Sequence, residues 1–176
     1  EQSLECLRHA QPGQWLYQLS LVAPPSFYTA YGIDPALVEL SENRPDLVQV
    51  LADPKYGRRF RVIDVKRGLH LRSTYQMQIL LYALELEHLC AAEGIDGIVD
   101  TEIGAAWLGD QTQITEFPCG AVRGHLETLL RELPVHFGKP LADCDWHVRF
   151  RCEWCEFLSH CQKQMVDTKD QIGRAS

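Results

Sequence analysis

Three groups of residues in this chain have types and spacings that could do chemistry. Asp46 heads one apolar run, Asp64-Val65-Lys66 closes another, and Gln78 and Tyr82 stand four apart in a stretch of helical pattern. Two carboxylates brought together would bind Mg²⁺ or Mn²⁺, which favour oxygen ligands. Such an ion polarises a phosphate and makes an attacking water more acidic. Lys66 lies two residues from Asp64, hence on the same side of a strand, where its ammonium would orient that water or offset charge building on phosphorus. Gln78 and Tyr82 share a helix face and would reach a phosphate from above. The third group is Cys152, Cys155 and Cys161 in the pattern C-x2-C-x5-C. These thiolates suit a structural zinc, with His147 or His160 as a fourth ligand, or an iron–sulfur cluster. Each group also has a plain reading. Asp-x-Lys is common in surface ion pairs, and a Gln and a Tyr on a helix need be no more than one exposed and one core residue.

The elements that would position these groups can be read from pattern. Leu47–Leu51 and Phe60–Val65 are compact apolar runs, and Asp53-Pro54-Lys55-Tyr56-Gly57 between them is a turn signal. A hairpin follows, and antiparallel pairing would bring Asp46 beside Asp64. From Arg72 to Ala92 apolar residues recur at helical spacing, with Ser73 or Thr74 as the expected N-cap and Gly94 as the stop. Further expectations are a short helix over Ser3–His9, a strand through Trp15–Leu21 ended by Pro24-Pro25, and a strand over residues 36–41. Beyond the long helix, strands are expected over 97–108 and 112–117 around a Gly109-Asp110 turn, then a helix from about Ala121 to Leu133 stopped by Pro134. Strands, helix, strands and helix in that order indicate a mixed α/β class.

At 176 residues and 45% hydrophobic content the chain is read as one domain with a sizeable core. No apolar stretch would span a bilayer and no secretory leader is visible. The opening at Glu1 suggests a piece of a longer polypeptide. The formal net charge of −7 argues mildly against nucleic acid. A local basic cluster, Arg58, Arg59, Arg61, Lys66, Arg67 and Arg72, could instead hold a phosphate backbone or form a solvated strand face. Seven cysteines cannot all pair, which fits metal-bound thiolates in a cytoplasmic protein better than a secreted disulfide framework. Cys90 and Cys119 lie in apolar contexts and read as small core residues.

Asp46, Asp64-Val65-Lys66 and Gln78-Ile79-Leu80-Leu81-Tyr82 together resemble the RecB-like branch of the PD-(D/E)XK nuclease superfamily. That branch includes the nuclease domains of RecB and AddB and the CRISPR adaptation nucleases. The C-x2-C-x5-C tail is similar to its iron–sulfur subset, and the resemblance covers roughly residues 44–164. It implies an α/β fold with a restriction-endonuclease-like αβββαβ core, about residues 14–133, and a C-terminal cysteine-stapled segment, about 144–164, in one nuclease-like domain over 1–176. It implies a metal-dependent DNA nuclease, exonuclease-like on single strands, with a helicase or other domain as a partner outside this chain. Asp46, Asp64 and the Val65 carbonyl would hold Mg²⁺ or Mn²⁺, Lys66 would be catalytic, and Gln78 and Tyr82 would contact the substrate or the site. A 4Fe–4S cluster would take Cys152, Cys155 and Cys161, with Cys6 as an upstream fourth ligand and Cys144 as a local rival. The chain departs from the pattern where Glu42-Asn43-Arg44-Pro45-Asp46 lacks the glycine often found before the first acid. Many members also carry an upstream His or Glu ligand, for which Glu5 and His9 are the candidates. These departures leave room for an alternative, a catalytically inactive nucleic-acid-binding or scaffold domain of the same fold.

Overall fold

The computed structural model describes residues 1–109, 111–140, 155–156 and 158–167. Two compact units divide the chain, Glu1–Gly138 and Lys139–Ser176. In the first, the elements run α1 (Gln2–His9), β1 (Trp15–Tyr17), α2 (Pro25–Tyr31), β2 (Leu47–Asp53), β3 (Gly57–Lys66), α3 (Ser73–Ala92), β4 (Ile98–Val99), β5 (Ile103–Leu108), β6 (Thr115–Pro118) and α4 (Gly120–Phe137). In the second, α5 spans Leu158–Asp167. No helix among the described residues is long and apolar enough to cross a membrane.

The first unit is mixed α/β, built on a six-stranded sheet of order β1-β2-β3-β5-β6, with β4 a short side branch on β3. The β1-β2-β3 stretch is antiparallel, β3-β5 is parallel, and β5-β6 is antiparallel again. The hairpin expected between β2 and β3 is present. The Asp53 carboxylate accepts the N–H groups of Lys55 and Tyr56, and Gly57 takes a left-handed φ of 76°, which closes the turn without strain. Helix α3 makes the crossover from β3 to β5 that a parallel pair requires. Its end is a Schellman motif: Gly94 at φ 60° lets Ile95 N–H reach Cys90 C=O and Gly94 N–H reach Ala91 C=O.

One sheet face carries Val48, Val50, Phe60, Val62 and Ala106 into the main core, where they meet Ile79, Leu80, Ala83 and Leu86 of α3. Leu7 of α1, Phe27 of α2 and Val122 and Leu126 of α4 complete that core.

Several expectations give way to local chemistry. The N-cap of α3 is Arg72, without a side-chain capping bond, rather than Ser73 or Thr74. The first strand stops at Tyr17 because Gln18 turns left-handed at φ 44°, and only Leu21 pairs again, with Asn43. Pro24 and Pro25 start α2 rather than merely ending a strand: Pro25 occupies the first helical position, where a missing N–H costs nothing. Residues 36–41 form no strand. Asp34 accepts the Ala36 N–H on its carboxylate and the Leu37 and Val38 N–H groups on its carbonyl, so the chain turns. The 97–108 run splits into β4 and β5 around buried Asp100, which accepts the Ile103 N–H. Strand β6 begins at Thr115, so a tight Gly109-Asp110 turn is replaced by a longer connection whose residue 110 lies outside the described residues. Helix α4 runs through Pro134 to Phe137 because one lost bond close to a helix end is tolerated, and Gly138 N–H still closes on Pro134 C=O.

Candidate active site

The β2–β3 register pairs Leu47 with Ile63, so one further step along it sets Asp46 opposite Asp64. Asp46 is fixed twice. Its carbonyl accepts the Gln18 N–H at 3.0 Å, and its carboxylate accepts the Val65 N–H at 2.7 Å. The backbone amide and carbonyl of one strand residue point the same way, so the Val65 carbonyl also faces the Asp46 side. The β2–β3 ladder ends at the Leu47–Ile63 pair, before it reaches Val65. The ladder therefore leaves this carbonyl without a β2 donor, beside two carboxylates.

Asp64 and Lys66 turn their side chains toward α3, as alternation along β3 demands. Asp64 is 3% exposed. Lys66 Nζ forms an ion pair with the buried Asp64 Oδ2. Burial pushes the Asp64 carboxyl above its ordinary range, the neighbouring Asp46 carboxylate adds to the rise, and Lys66 opposes it. Lys66 in turn donates to Gln78 Oε1 at 2.8 Å, and Gln78 Nε2 donates to Tyr82 Oη at 2.6 Å. The Lys66 ammonium also stands 5.1 Å from the centre of the Tyr75 ring. Asp64, Lys66, Gln78 and Tyr82 therefore form one continuous chain of contacts joining β3 to α3, and Asp46 flanks it from the end of β2.

The acid pair fits a hard cation. Two facing carboxylates and a backbone carbonyl are the oxygen donors that Mg²⁺ and Mn²⁺ favour, and Mg²⁺ needs few protein ligands because it keeps several waters. Asp46, Asp64 and the Val65 carbonyl are the groups available to hold it. Among the described residues no set of three His, Cys, Asp or Glu side chains gathers to bind a metal, so no third carboxylate or imidazole joins the pair. Glu5 is instead engaged with His9 and with Arg8, which also binds Glu93 just beyond α3.

The basic cluster resolves into distinct parts. Arg58 donates to the carbonyls of Arg8, Ala10 and Asp96, Arg59 binds Asp53 and Asp100, and Arg61 binds Asp100 and Glu116. Those three hold the sheet and α1 together. Lys66 belongs to the site, while Arg67 and Arg72 are exposed on the loop that leads from it into α3.

Two features escape a reading of the sequence. Glu85 is buried on α3, one turn beyond Tyr82, and both its oxygens accept from Asn43 Nδ2 at 2.8 and 2.9 Å. Burial raises its pKa from 4.5 to about 7, against the lowering effect of Asn43. Since Asn43 also exchanges both backbone bonds with Leu21, Glu85 ties the segment entering Asp46 to the helix that carries Gln78 and Tyr82. Its place three residues beyond Tyr82, on the same helix face as Gln78 and Tyr82, is the available signal. The second feature is an open cleft of about 470 Å³ lined by Tyr17, Asp46, Leu47, Val65, Trp107, Leu108 and Gly109.

Of the cysteine group, Cys152 lies outside the described residues, as do Cys144 and His147. Cys155 is exposed just before α5, and Cys161 and His160 are on α5. Cys6 is an exposed free thiol on α1 of the first unit, and Cys90 and Cys119 are buried as expected, with burial raising their thiols to about 12 and about 11. No family model matches this chain, and no curated protein matches it either.

Proposed function

We propose that this protein is a divalent-metal-dependent deoxyribonuclease of the RecB-like branch of the PD-(D/E)XK superfamily, in its iron–sulfur subset. The observation that carries the reading is the buried Asp64 carboxylate, set opposite Asp46 and joined through Lys66 to Gln78 and Tyr82. The run α1, β1, β2, β3, α3, β5 supports a restriction-endonuclease-like αβββαβ core once α2 and the two-residue β4 are set aside.

Bound Mg²⁺ or Mn²⁺ would supply the Lewis acidity that draws charge from the scissile phosphate and acidifies the attacking water. Asp46, Asp64 and the Val65 carbonyl would hold it. The Lys66 ammonium, held between Asp64 and Gln78, would offset the negative charge that grows as the water oxygen bonds to phosphorus and the bridging oxygen leaves. Gln78 holds Lys66 by accepting its proton-bearing Nζ, and Tyr82 holds Gln78. Glu85 and Asn43 keep the Asp46 segment at a fixed distance from that helix. Cys152, Cys155 and Cys161 are proposed as ligands of a structural 4Fe–4S cluster, with zinc as the alternative metal.

The alternative, a catalytically silent nucleic-acid-binding or scaffold domain, is favoured by one observation: the Asp46 carboxylate is already engaged by the Val65 N–H. Cleavage of labelled single- and double-stranded DNA with Mn²⁺ or Mg²⁺, comparing the wild type with Lys66→Ala, separates the two. The nuclease reading expects metal-dependent cleavage that falls roughly 100- to 1,000-fold in the variant. Absence of cleavage by folded, metal-loaded wild type would overturn it in favour of the silent domain.

A further inference from the structure

Resting on the nuclease reading, we propose that the cleft beside Asp46 is a stacking subsite for one unpaired base of a single-stranded substrate, with Trp107 and Tyr17 as its walls. Asp46 lines the cleft and is also one of the acid pair, so the cleft adjoins the pair at that residue. The described lining is apolar and aromatic apart from Asp46 and contains no cation. A phosphate would be repelled there, whereas a flat, neutral base would be accepted on its π-face.

Both aromatic side chains line the cleft and are open to solvent. Tyr17 is 71% exposed and Trp107 38% exposed, a poor arrangement for folding alone. The indole is nevertheless fixed, since its Nε1 donates to Gln111 C=O at 2.9 Å. Tyr17 is the last residue of β1, and the left-handed Gln18 after it donates its N–H to Asp46 C=O, which locks the ring's backbone to the acid. Strand β3 presents Val65 to the cleft and Asp64 toward α3, so adjacent residues serve the base and the phosphate. At the far wall Gly109 approaches the chain after β3 so closely that an added Cβ would lie 2.8 Å from the Arg67 carbonyl oxygen. A base paired and stacked in a duplex cannot enter such a cleft without first being extruded. The subsite therefore favours single strands.

The test uses the full chain in a Lys66→Ala background with Mn²⁺ and a fluorescein-labelled oligothymidine, read by anisotropy. Trp107→Ala and Tyr17→Ala are each expected to weaken binding roughly 5- to 150-fold. An abasic position stepped along the oligonucleotide is expected to reproduce that loss at one place, with no added effect in Trp107→Ala. Should Trp107→Ala fail to fold, the solvent-exposed Tyr17→Ala and the abasic series decide. Unchanged affinity in folded Tyr17→Ala and Trp107→Ala, or a flat abasic series, would overturn the subsite. Cleavage by the wild type is measured separately, so the subsite can fall while the nuclease reading stands.

Discussion

Replacing Glu85 with Gln should make stability less dependent on pH, by an amount the site itself sets. In the unfolded chain this carboxyl titrates near its ordinary 4.5, whereas in the fold it keeps its proton up to about 7. Below both values the two states bind the same proton and Glu85 is neutral in its effect. Between them, folding must restore a proton that the unfolded chain has released. Wild-type stability therefore falls as pH rises through this window and levels off above it. At about 1.4 kcal/mol per pH unit, the window is worth about 3 kcal/mol. The amide introduced by Glu85→Gln can still accept from Asn43 through its oxygen, but its NH₂ group lacks the acceptor it needs in an apolar surround. That mismatch costs roughly 1–3 kcal/mol at every pH. The diagnostic quantity is thus not the stability of Glu85→Gln at one pH but the change in its difference from wild type. Urea denaturation from about pH 4 to about pH 8 should show that difference moving by about 3 kcal/mol in favour of the variant. Asp64 titrates in both proteins and drops out of the comparison. Parallel stability curves would refute the reasoning, because they would mean that Glu85 is ionised in the fold and solvated in some way its burial does not allow.

Mn²⁺ binding should tighten as pH rises, by up to about tenfold per pH unit while the raised Asp64 carboxyl still holds a proton; isothermal titration at several pH values checks this, and a flat profile would contradict it. Gly104→Ala should destabilise the fold by about 1–3 kcal/mol, because the added methyl meets the Phe117 ring across β5 and β6; an unshifted denaturation midpoint would show that the ring can move aside. Anaerobically purified protein should carry iron and visible absorbance that Cys155→Ser diminishes, whereas zinc without colour would select the other metal.

The site is more legible in the sequence than the frame around it, and the reason lies in the range of each signal. Asp46 opposite Asp64 follows from two apolar runs and a strong turn between them, all within a single hairpin. Gln78 and Tyr82 need only the helical period to share a face. Pattern fails where one residue's local bonding overrides it, as at Asp34, whose turn displaces a strand from 36–41, and at Gln18, whose left-handed backbone ends β1. Pro25 and Pro134 look like breakers in sequence although position decides their effect, a first turn in one case and a last turn in the other. Trp107 gives no sign in the sequence, because its place beside Asp46 depends on β5 crossing over to pair with β3.

Helix α3 has a bearing on which sequence changes this protein could accept. Gln78, Tyr82 and Glu85 lie at steps of four and three along it, within one narrow angular sector at about 100° per residue. Together they set the rotational phase of the helix against the sheet, Gln78 through Lys66 and Glu85 through Asn43. One residue inserted between Tyr82 and Glu85 would turn the two contacts about 100° out of step, so that only one could be kept. A length change of about seven residues would restore the phase, and one made beyond Glu85 would leave both contacts untouched. The chain between Lys66 and Glu85 is therefore indexed like a gear.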